Sequence, residues 1–218
     1  MLNWNKINTV FLDMDGTLLD LNFDNHFWLE FVPQRYADLN KISLAAANAK
    51  LIPLFKSMEG KLEWYCLDYW SEQLKLDIVG LKTEISGLIT VLPHVSEFLS
   101  ALQNTDKQVY LVTNAHTDSL SLKMEKTCLQ PFFDTIICAH DLGFAKEQQA
   151  FWQTLYKQYT WGKQSTVMID DSLPVLRAAK QFGLEQLIAI NRPDSQKASK
   201  AIVEFTAITD FRELMPIK

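Results

Sequence analysis

The sequence predicts an α/β protein in which a doubly wound parallel sheet is interrupted, after its first strand, by an inserted helical segment. Three observations support this fold class. From residue 93 onward, short strands alternate with helices, the order that a parallel sheet covered by helices on both faces requires. The strands are continuous apolar runs, as expected of strands buried on both sides. Residues 21–92, in contrast, contain no convincing strand.

The first strand is the apolar run Val10 to Leu12, which leads directly into Asp13 and Asp15. Side chains alternate along a strand, so the two carboxylates point the same way and Met14 turns away. Gly16 then permits a sharp exit from the strand. Two adjacent carboxylates repel each other unless a positive charge lies between them. A hard cation with oxygen ligands, such as Mg2+, is the natural candidate.

The inserted segment is predicted to be helical throughout. Its four predicted helices are Phe23 to Leu39 with an interruption near Pro33, a helix capped by Ser43 that stops near Gly60, Lys61 to Ile78, and Ile78 to Leu92. Pro53 should bend the second of these helices. We therefore divide the chain into an α/β core, residues 1–20 and 93–218, and a helical segment, residues 21–92.

The remainder of the core alternates between the two kinds of element. The predicted strands are Val109 to Val112, Thr135 to Cys138, Thr166 to Ile169 and Gln186 to Ile190. The predicted helices are Val95 to Gln103, Asp118 to Leu129, Glu147 to Tyr159 and Leu173 to Phe182, the last of them stopped by Gly183. Residues 206–218 carry no informative pattern.

Composition narrows the range of functions. The chain has 218 residues, of which 48% are apolar and 22% charged, with a net charge of −5 and no basic block. A nucleic-acid polymer would normally require a basic face, so we expect a small ligand. No apolar run approaches the roughly 18 residues of a membrane span, and the first residues do not resemble a signal peptide. Three cysteines without a close pair favour a reducing cytoplasm over a disulfide framework or a zinc site.

Polar side chains follow three of the predicted strands. The first strand ends in Asp13 and Asp15, the second in Thr113 and Asn114, and the fourth in Asp170 and Asp171. In an open parallel sheet, ligands bind beyond the carboxyl ends of the strands. One such strand end would be weak support for a site. Three that fall on the same edge of one sheet are much harder to ascribe to chance.

These motifs resemble those of the haloacid dehalogenase superfamily of phosphotransferases. The run DMDGT, the strand-ending Thr113, the downstream Lys146 and the acid pair at 170 and 171 match that superfamily's four motifs in order. The runs LDMDGTLLDLNFDNHFW, EWYCLDYWSEQL, LVTNAH and IDDS resemble, in addition, the purine 5'-nucleotidases that act on GMP and IMP. The resemblance implies a Rossmann-like core with a helical cap inserted after the first strand.

The resemblance also implies chemical roles. Asp13 would attack phosphorus and form an aspartyl-phosphate, and Asp15 would act as general acid and then as general base. Mg2+ would be held by Asp13, the backbone carbonyl of Asp15 and Asp171, with Asp170 in a secondary position.

The phosphoryl oxygens would be bound by the Thr113 hydroxyl, the amide of Asn114 and the Lys146 ammonium. Family members often have proline after this lysine, whereas Glu147 follows it here. Lys123 and Lys126 are competitors for the role, although both fall within a predicted helix that leads away from the edge. Ser172 is either a helix cap or a site residue.

The helical segment is expected to select the leaving group of the substrate. A cap of this kind excludes water and contacts the substrate, and aromatic residues are dense in it. Tyr65, Trp70 and Asp68, together with His116 of the core, are candidate substrate-binding residues. Each of them is also compatible with an ordinary packing or surface role.

The sequence therefore predicts a Mg2+-dependent phosphatase of purine nucleoside 5'-monophosphates. A phosphatase of sugar phosphates or phosphoglycolate is the nearest alternative. A dehalogenase is disfavoured because such enzymes usually lack the second aspartate, here Asp15. A receiver-like phospho-acceptor is disfavoured because receivers are about half this length and have no helical insert. Oligomeric state is open at this point.

Overall fold

A computed structural model describes residues 2–217 of the chain. Its centre is a sheet of six parallel strands in the order β3-β2-β1-β4-β5-β6. The strands are β1 Thr9–Leu12, β2 Gln108–Thr113, β3 Thr135–Cys138, β4 Thr166–Asp170, β5 Gln186–Ile190 and β6 Thr206–Ile208. The predicted α/β class with a doubly wound parallel sheet is thereby confirmed. Strand β6 is an addition, since it lies in the part of the sequence that carried no informative pattern.

Strand β1 lies in the middle of the sheet, between β2 and β4. Its four residues are all buried, which explains why the run lacks polar alternation. From β1 the chain proceeds to β2 and β3 on one side, and later to β4, β5 and β6 on the other. The sheet therefore changes direction around β1. In open α/β sheets, this switch point is where the carboxyl ends of the strands leave a crevice.

Helices cover both faces of the sheet, and each face has its own apolar cluster. Val10 and Leu12 of β1 point into one cluster, whereas Phe11 points into the other. The helices that follow the inserted segment are α7 Val95–Gln103, α8 Thr117–Thr127, α9 Ala139–Leu142, α10 Gln149–Gln158 and α11 Leu173–Phe182. All but the short α9 match predicted helices to within a few residues.

Residues 21–88 contain helices and turns but no strand. The helices are α1 Asn22–His26, α2 Val32–Asn40, α3 Leu44–Met58, α4 Leu62–Tyr65, α5 Leu67–Leu74 and α6 Ile78–Glu84. The interruption expected near Pro33 is a π-helical turn, Phe27–Phe31, immediately before α2. Helix α3 is capped by the Ser43 hydroxyl and continues through Pro53.

The helical segment has a third apolar cluster of its own, whose buried members all lie between Phe27 and Leu81. The two ends of the segment lie side by side, because the amide of Asp20 donates to the carbonyl of Thr90 and that of Leu92 to Leu18. No helix within residues 2–217 is long and apolar enough to cross a membrane.

Candidate active site

Asp13 and Asp15 follow β1 at the carboxyl edge of the sheet and line one cavity. Met14 between them is fully buried in the apolar cluster on one face of the sheet, as the alternation of side chains predicts. Gly16 has a φ of +82°, which only glycine adopts readily. A Cβ atom at this position would lie 2.7 Å from Cγ of Asp171. Glycine therefore allows the first loop to approach the loop that follows β4.

Lys146 extends from the loop after α9 to the centre of this edge, where its ammonium is almost fully buried. Its Nζ donates to Asp13 Oδ1 at 2.5 Å, to Asp170 Oδ2 at 2.8 Å and to the carbonyl of Val112 at 3.0 Å. Burial opposes the charge, but the carboxylates of Asp13 and Asp170 outweigh it and raise the pKa of Lys146 above its ordinary value. The lysine is therefore a fixed positive charge beside Asp13.

Asp13, Asp170 and Asp171 form a carboxylate cluster in which one oxygen of each lies within 4.8 Å of the others. Asp13 Oδ2 is buried and has no hydrogen-bond partner among the described residues. Burial and the neighbouring Asp170 and Asp13 raise the pKa of Asp171 well above its ordinary value. An oxygen-only donor set with excess negative charge and an unpartnered buried oxygen fits a hard cation such as Mg2+. Asp170 is more constrained than Asp171, since it also accepts from the Ser172 amide at 2.8 Å.

Thr113 and Asn114 continue β2 into the same cavity. The Thr113 hydroxyl accepts from the amide of Ala115 at 3.0 Å. The side-chain amide of Asn114 is engaged on both sides, because Nδ2 donates to Glu147 Oε2 at 2.9 Å and Oδ1 accepts from the Lys146 amide at 2.9 Å. The Asn114 side chain thus braces the lysine loop rather than reaching freely into the cavity.

Glu147 is a site residue that the sequence analysis passed over. Its carboxylate accepts from Asn114 of the core and, at 2.6 Å, from the Tyr65 hydroxyl of the helical segment. Burial and Glu147 raise the pKa of Tyr65 well above its ordinary value, so the phenol keeps its proton. The residue at this position therefore links the two parts of the chain, a role that proline could not fill.

The sequence placed Lys123 on a helix that leads away from the edge of the sheet, and the expectation that this lysine lies away from the site is wrong. Its side chain is buried, and its Nζ lies 2.6 Å from Asp15 Oδ1 and 2.7 Å from Asp24 Oδ2. The helical spacing was a usable signal, because Lys123 shares the buried face of α8 with Leu120 and Met124. Burial raises the pKa of Asp15 to about 6, against the opposing effect of Lys123. Lys126, by contrast, is exposed.

The cavity has a volume of about 520 Å³ and is walled by both parts of the chain. This volume is within the range of roughly 300–1,000 Å³ that is common for small-molecule sites. The wall from the core contains Asp13, Asp15, Thr113, Asn114, His116, Lys146, Asp170, Asp171 and Ser172. The wall from the helical segment includes the aromatic residues Trp28, Phe55, Trp64 and Tyr65.

Two of the four candidate substrate-binding residues line the cavity, and two do not. Tyr65 and His116 line the cavity. Trp70 does not, and this expectation is corrected: its side chain is fully buried in the apolar cluster of the helical segment, where its Nε1 donates to the carbonyl of Trp64. Asp68 is also outside the cavity wall. Its carboxylate is 80% exposed and lies 3.6 Å from His116 Nε2.

Comparison with curated proteins finds relatives across almost the whole chain. The sequence is 38% identical over 213 residues to the GMP/IMP nucleotidase YrfG of Escherichia coli (strain K12), covering 98% of this chain and 96% of that protein. It is 24% identical over 170 residues to the pyrophosphatase PpaX of Oceanobacillus iheyensis, covering 77% and 76% of the two chains.

Solved structures share the fold. A HAD phosphatase from Thermococcus onnurineus superposes with a TM-score of 0.77 at 22% identity, covering 95% of both chains. The L-2-haloacid dehalogenase from Xanthobacter autotrophicus superposes with a TM-score of 0.53 at 14% identity, covering 87% of this chain and 80% of that one.

The model of one protein family matches residues 7–183, a span that runs from just before β1 to the end of α11. That span contains every motif on which the predicted resemblance rests, and both the resemblance and the expectation of an enzyme are confirmed. The protein belongs to the haloacid dehalogenase-like hydrolase family.

Proposed function

We propose that this hydrolase is a Mg2+-dependent phosphatase of nucleoside 5'-monophosphates, with IMP and GMP as the favoured substrates. The observation that carries the proposal is the composition of the cavity described above. It combines carboxylates, a buried lysine and a threonine on the core wall with half-buried tryptophans on the wall from the helical segment. A phosphate group suits the first set of side chains and a flat aromatic base suits the second.

The first chemical step falls to Asp13 and Asp15. Lys146 restrains Asp13 through Oδ1, and the second oxygen is without a hydrogen bond among residues 2–217. In the proposed step an Asp13 oxygen forms a bond to phosphorus while the ester bond to the 5'-oxygen breaks. Asp15 gives its proton to that departing oxygen, so the nucleoside leaves as a neutral alcohol.

The second step returns the enzyme to its starting state. Asp15, now a carboxylate, takes a proton from water as the water oxygen attacks phosphorus, and the bond from phosphorus to Asp13 breaks. Thr113 and Lys146 stabilise the negative charge that is spread over the phosphoryl oxygens. Dividing the reaction in this way matters because uncatalysed phosphate-monoester hydrolysis is so slow that enhancements up to about 10²¹ are known.

Asp13, Asp171, the backbone carbonyl of Asp15 and, secondarily, Asp170 would hold the Mg2+ ion. Mg2+ usually binds through one or two carboxylates together with substrate phosphate oxygens and water. When bound, the ion would neutralise the repulsion between a phosphate dianion and the carboxylates. The unpartnered Asp13 oxygen and the raised pKa of Asp171 support this assignment.

The preference for a purine rests on the tryptophans and on the relative. Trp28 and Trp64 are half-buried, line the cavity and lie with their ring centroids 5.8 Å apart. Stacking of a base on an aromatic ring is worth roughly 1–3 kcal/mol. The relative with 38% identity over nearly the full length is named as a GMP/IMP nucleotidase.

Two charged residues on the same wall suit the edge of a 6-oxopurine. Lys56 and Glu59 both line the cavity near the end of α3. IMP and GMP share an acceptor at O6 and a donor at N1, which a lysine and a glutamate respectively would bind. AMP carries an amino group at the first position and an acceptor at the second, so both contacts would be mismatched. Hydrogen-bonding sites discriminate strongly against such mismatches.

The proposal also assigns a role to each of the two parts of the chain. Residues 21–92 form a cap over the phosphate site carried by residues 1–20 and 93–218. Within the described part of the chain all three cysteines are free, which supports function in the reducing cytoplasm. Under this proposal the molecule that the protein binds is a small phosphorylated metabolite.

Phosphate release from a panel of phosphomonoesters, with Mg2+ and with excess chelator, tests the proposal. IMP and GMP should be hydrolysed with the highest kcat/KM, AMP much more slowly, and all activity should be lost with the chelator. A preference for ribose 5-phosphate or phosphoglycolate would instead favour the sugar phosphate or phosphoglycolate alternative. Activity that persists in chelator would contradict the metal dependence.

A matched pair of variants tests the aromatic wall. Trp64→Ala should lower kcat/KM for IMP by about 5- to 150-fold, the equivalent of one stacking contact, and leave ribose 5-phosphate unchanged. Phe31→Ala removes an aromatic ring of the same segment that is not part of the cavity wall, and should change neither substrate. An equal loss on both substrates in Trp64→Ala would refute base stacking.

A further inference from the structure

A chain of four charged groups connects Asp15 to the helical segment. Lys123 Nζ lies 2.6 Å from Asp15 Oδ1 and 2.7 Å from Asp24 Oδ2. The other oxygen of Asp24 accepts from Lys82 Nζ at 2.7 Å. Lys123 belongs to α8 of the core, Asp24 to α1 and Lys82 to α6. The order along the chain of charges is therefore core carboxylate, core lysine, cap carboxylate and cap lysine.

The two lysines of this chain of charges are shielded from water, whereas the side chains of Asp15 and Asp24 are 23% and 18% exposed. The side chains of Lys123 and Lys82 are 2% and 3% exposed. The ring of Phe23 lies 5.2 Å from Lys123 Nζ and 4.9 Å from Lys82 Nζ, and that of Phe27 lies 4.6 Å from Lys82 Nζ. Aromatic faces at these distances favour the ammonium groups and exclude solvent from the contacts.

Stability alone is a weak explanation for such an arrangement. Removing charges from water costs several kcal/mol each, and replacing a buried ion pair with apolar residues of similar volume is often neutral or stabilising. A second observation concerns geometry: Lys123 bonds only one oxygen of Asp15. The other oxygen stays available for proton transfer while the carboxyl group is held in a fixed orientation.

We propose that Lys123 is a positioning residue that orients Asp15 for proton transfer, and that Asp24 and Lys82 make this orientation depend on the docked cap. The inference rests on the proposed function, in which Asp15 protonates the leaving oxygen. Asp24 accepts the second hydrogen bond of Lys123 Nζ and is itself fixed by Lys82. Displacement of α1 or α6 would break these bonds and release Lys123. Proton transfer is thereby confined to the closed, water-excluding arrangement.

The dependence of the rate on the leaving group separates positioning from a structural role. A nucleoside 5'-alkoxide must be protonated as it leaves, whereas p-nitrophenolate is a stable anion and needs little help. Lys123→Met should therefore lower kcat/KM for IMP by about 10²- to 10⁴-fold, the scale of general acid catalysis. The loss for p-nitrophenyl phosphate should be less than about tenfold. The comparison of the two substrates is not affected by hydrolysis of the aspartyl-phosphate, because kcat/KM reports only the events up to phosphoryl transfer.

Variants of α8 and of the chain of charges serve as controls. Lys126→Met alters an exposed lysine of α8 and should leave both substrates unchanged. Lys123→Arg keeps a buried cation and should retain more IMP activity than Lys123→Met. Should Lys123→Met fail to fold, the double variant Lys123→Met with Asp24→Asn removes one charge of each sign, and the same leaving-group ratio is measured on it.

Asp15→Asn distinguishes failure of this inference from failure of the proposed function. If Asp15→Asn does not itself lose more activity on IMP than on p-nitrophenyl phosphate, its assignment as the general acid is wrong. If Asp15→Asn shows that difference but Lys123→Met reduces both substrates equally, or neither, the positioning role is overturned. The double variant Lys82→Met with Asp24→Asn leaves Lys123 and Asp15 in place but removes the two groups that fix Lys123 from the helical segment. No selective loss on IMP in that variant would overturn the dependence on the cap.

Discussion

Replacing Asp13 with asparagine removes one negative charge from a crowded site and leaves the shape of the side chain nearly unchanged. Under the proposed mechanism the carboxylate oxygen is the nucleophile, and an amide cannot replace it at an appreciable rate. Turnover should fall by roughly 10⁴- to 10⁶-fold, the range found when members of a catalytic nucleophile system are removed from a hydrolase. The fold should be retained, for reasons that follow from the charges around Asp13.

The substitution loses one attraction and relieves two repulsions. At an effective dielectric constant of about 20, unit charges at the 2.5 Å separation of Lys146 Nζ and Asp13 Oδ1 attract by roughly 7 kcal/mol. One oxygen of Asp170 and one of Asp171 lie within 4.8 Å of an Asp13 oxygen, so each repulsion between ionised groups is at least roughly 3.5 kcal/mol. The relieved repulsions therefore match or exceed the lost attraction, so the free energy of unfolding in chelator should fall by no more than about 2 kcal/mol.

Two measurements decide the outcome. Phosphate release from IMP reports turnover, and urea unfolding of both proteins in chelator reports stability. The wild type should also retain radiolabelled phosphate on Asp13 after an acid quench, whereas Asp13→Asn should retain none. Turnover within tenfold of the wild type would refute the covalent mechanism. A loss of stability well beyond 2 kcal/mol would instead refute the charge balance derived from the structure.

Three further predictions concern neighbouring groups. Asp15→Asn should lower turnover of IMP by about 10²- to 10⁴-fold, and an unchanged rate in a phosphate-release assay would contradict its role. Burial alone would raise the pKa of Asp24, but Lys123 and Lys82 hold it below its ordinary value. A depressed pKa stabilises the folded state above the unfolded-state pKa of about 3.9, and this contribution is lost as the pH falls further. The stability difference between the wild type and Asp24→Asn should therefore shrink as the pH falls below about 4 in urea unfolding; a difference that grows there would contradict the ion pairs. Mg2+ at 100 times its Kd should stabilise the wild type by about 2.7 kcal/mol. Asp171→Asn should diminish this stabilisation. Asp118→Asn, which replaces an exposed carboxylate, should leave it unchanged.

The central strands were predictable because strands that are buried on both faces consist of continuous apolar residues. The cores of β1, β2 and β4 are apolar runs that end in polar residues, and their alternation with helices allows few other arrangements. Strand β6 was not predictable for the opposite reason. It has three residues, of which only Ile208 is buried, so its place at the edge of the sheet depends on β5 rather than on its own pattern.

Some residues of the site were predictable from the sequence, and others were not. Asp13, Thr113 and Asp171 are near strand ends, and the geometry of a parallel sheet alone brings such residues to one edge. Lys146 is on a loop, and the resemblance to a known family rather than any local pattern indicated it. Trp70 and Trp64 could not be distinguished by spacing, since both lie in an aromatic segment. Only the packing of α5 buries Trp70 and leaves Trp64 on the cavity wall.

Short-range patterns of apolar and polar residues were sufficient to predict the sheet, the carboxylates at its edge and the family. Which charged side chains contact each other became clear only from the folded chain. Lys123 and Asp24 are 99 positions apart in the chain and Tyr65 and Glu147 are 82 apart. Contacts at such separations exist only after the helical segment has folded back over β1. Pairing between distant charges depends on the distance and dielectric environment that the fold creates, and neither quantity is contained in a local run of residues.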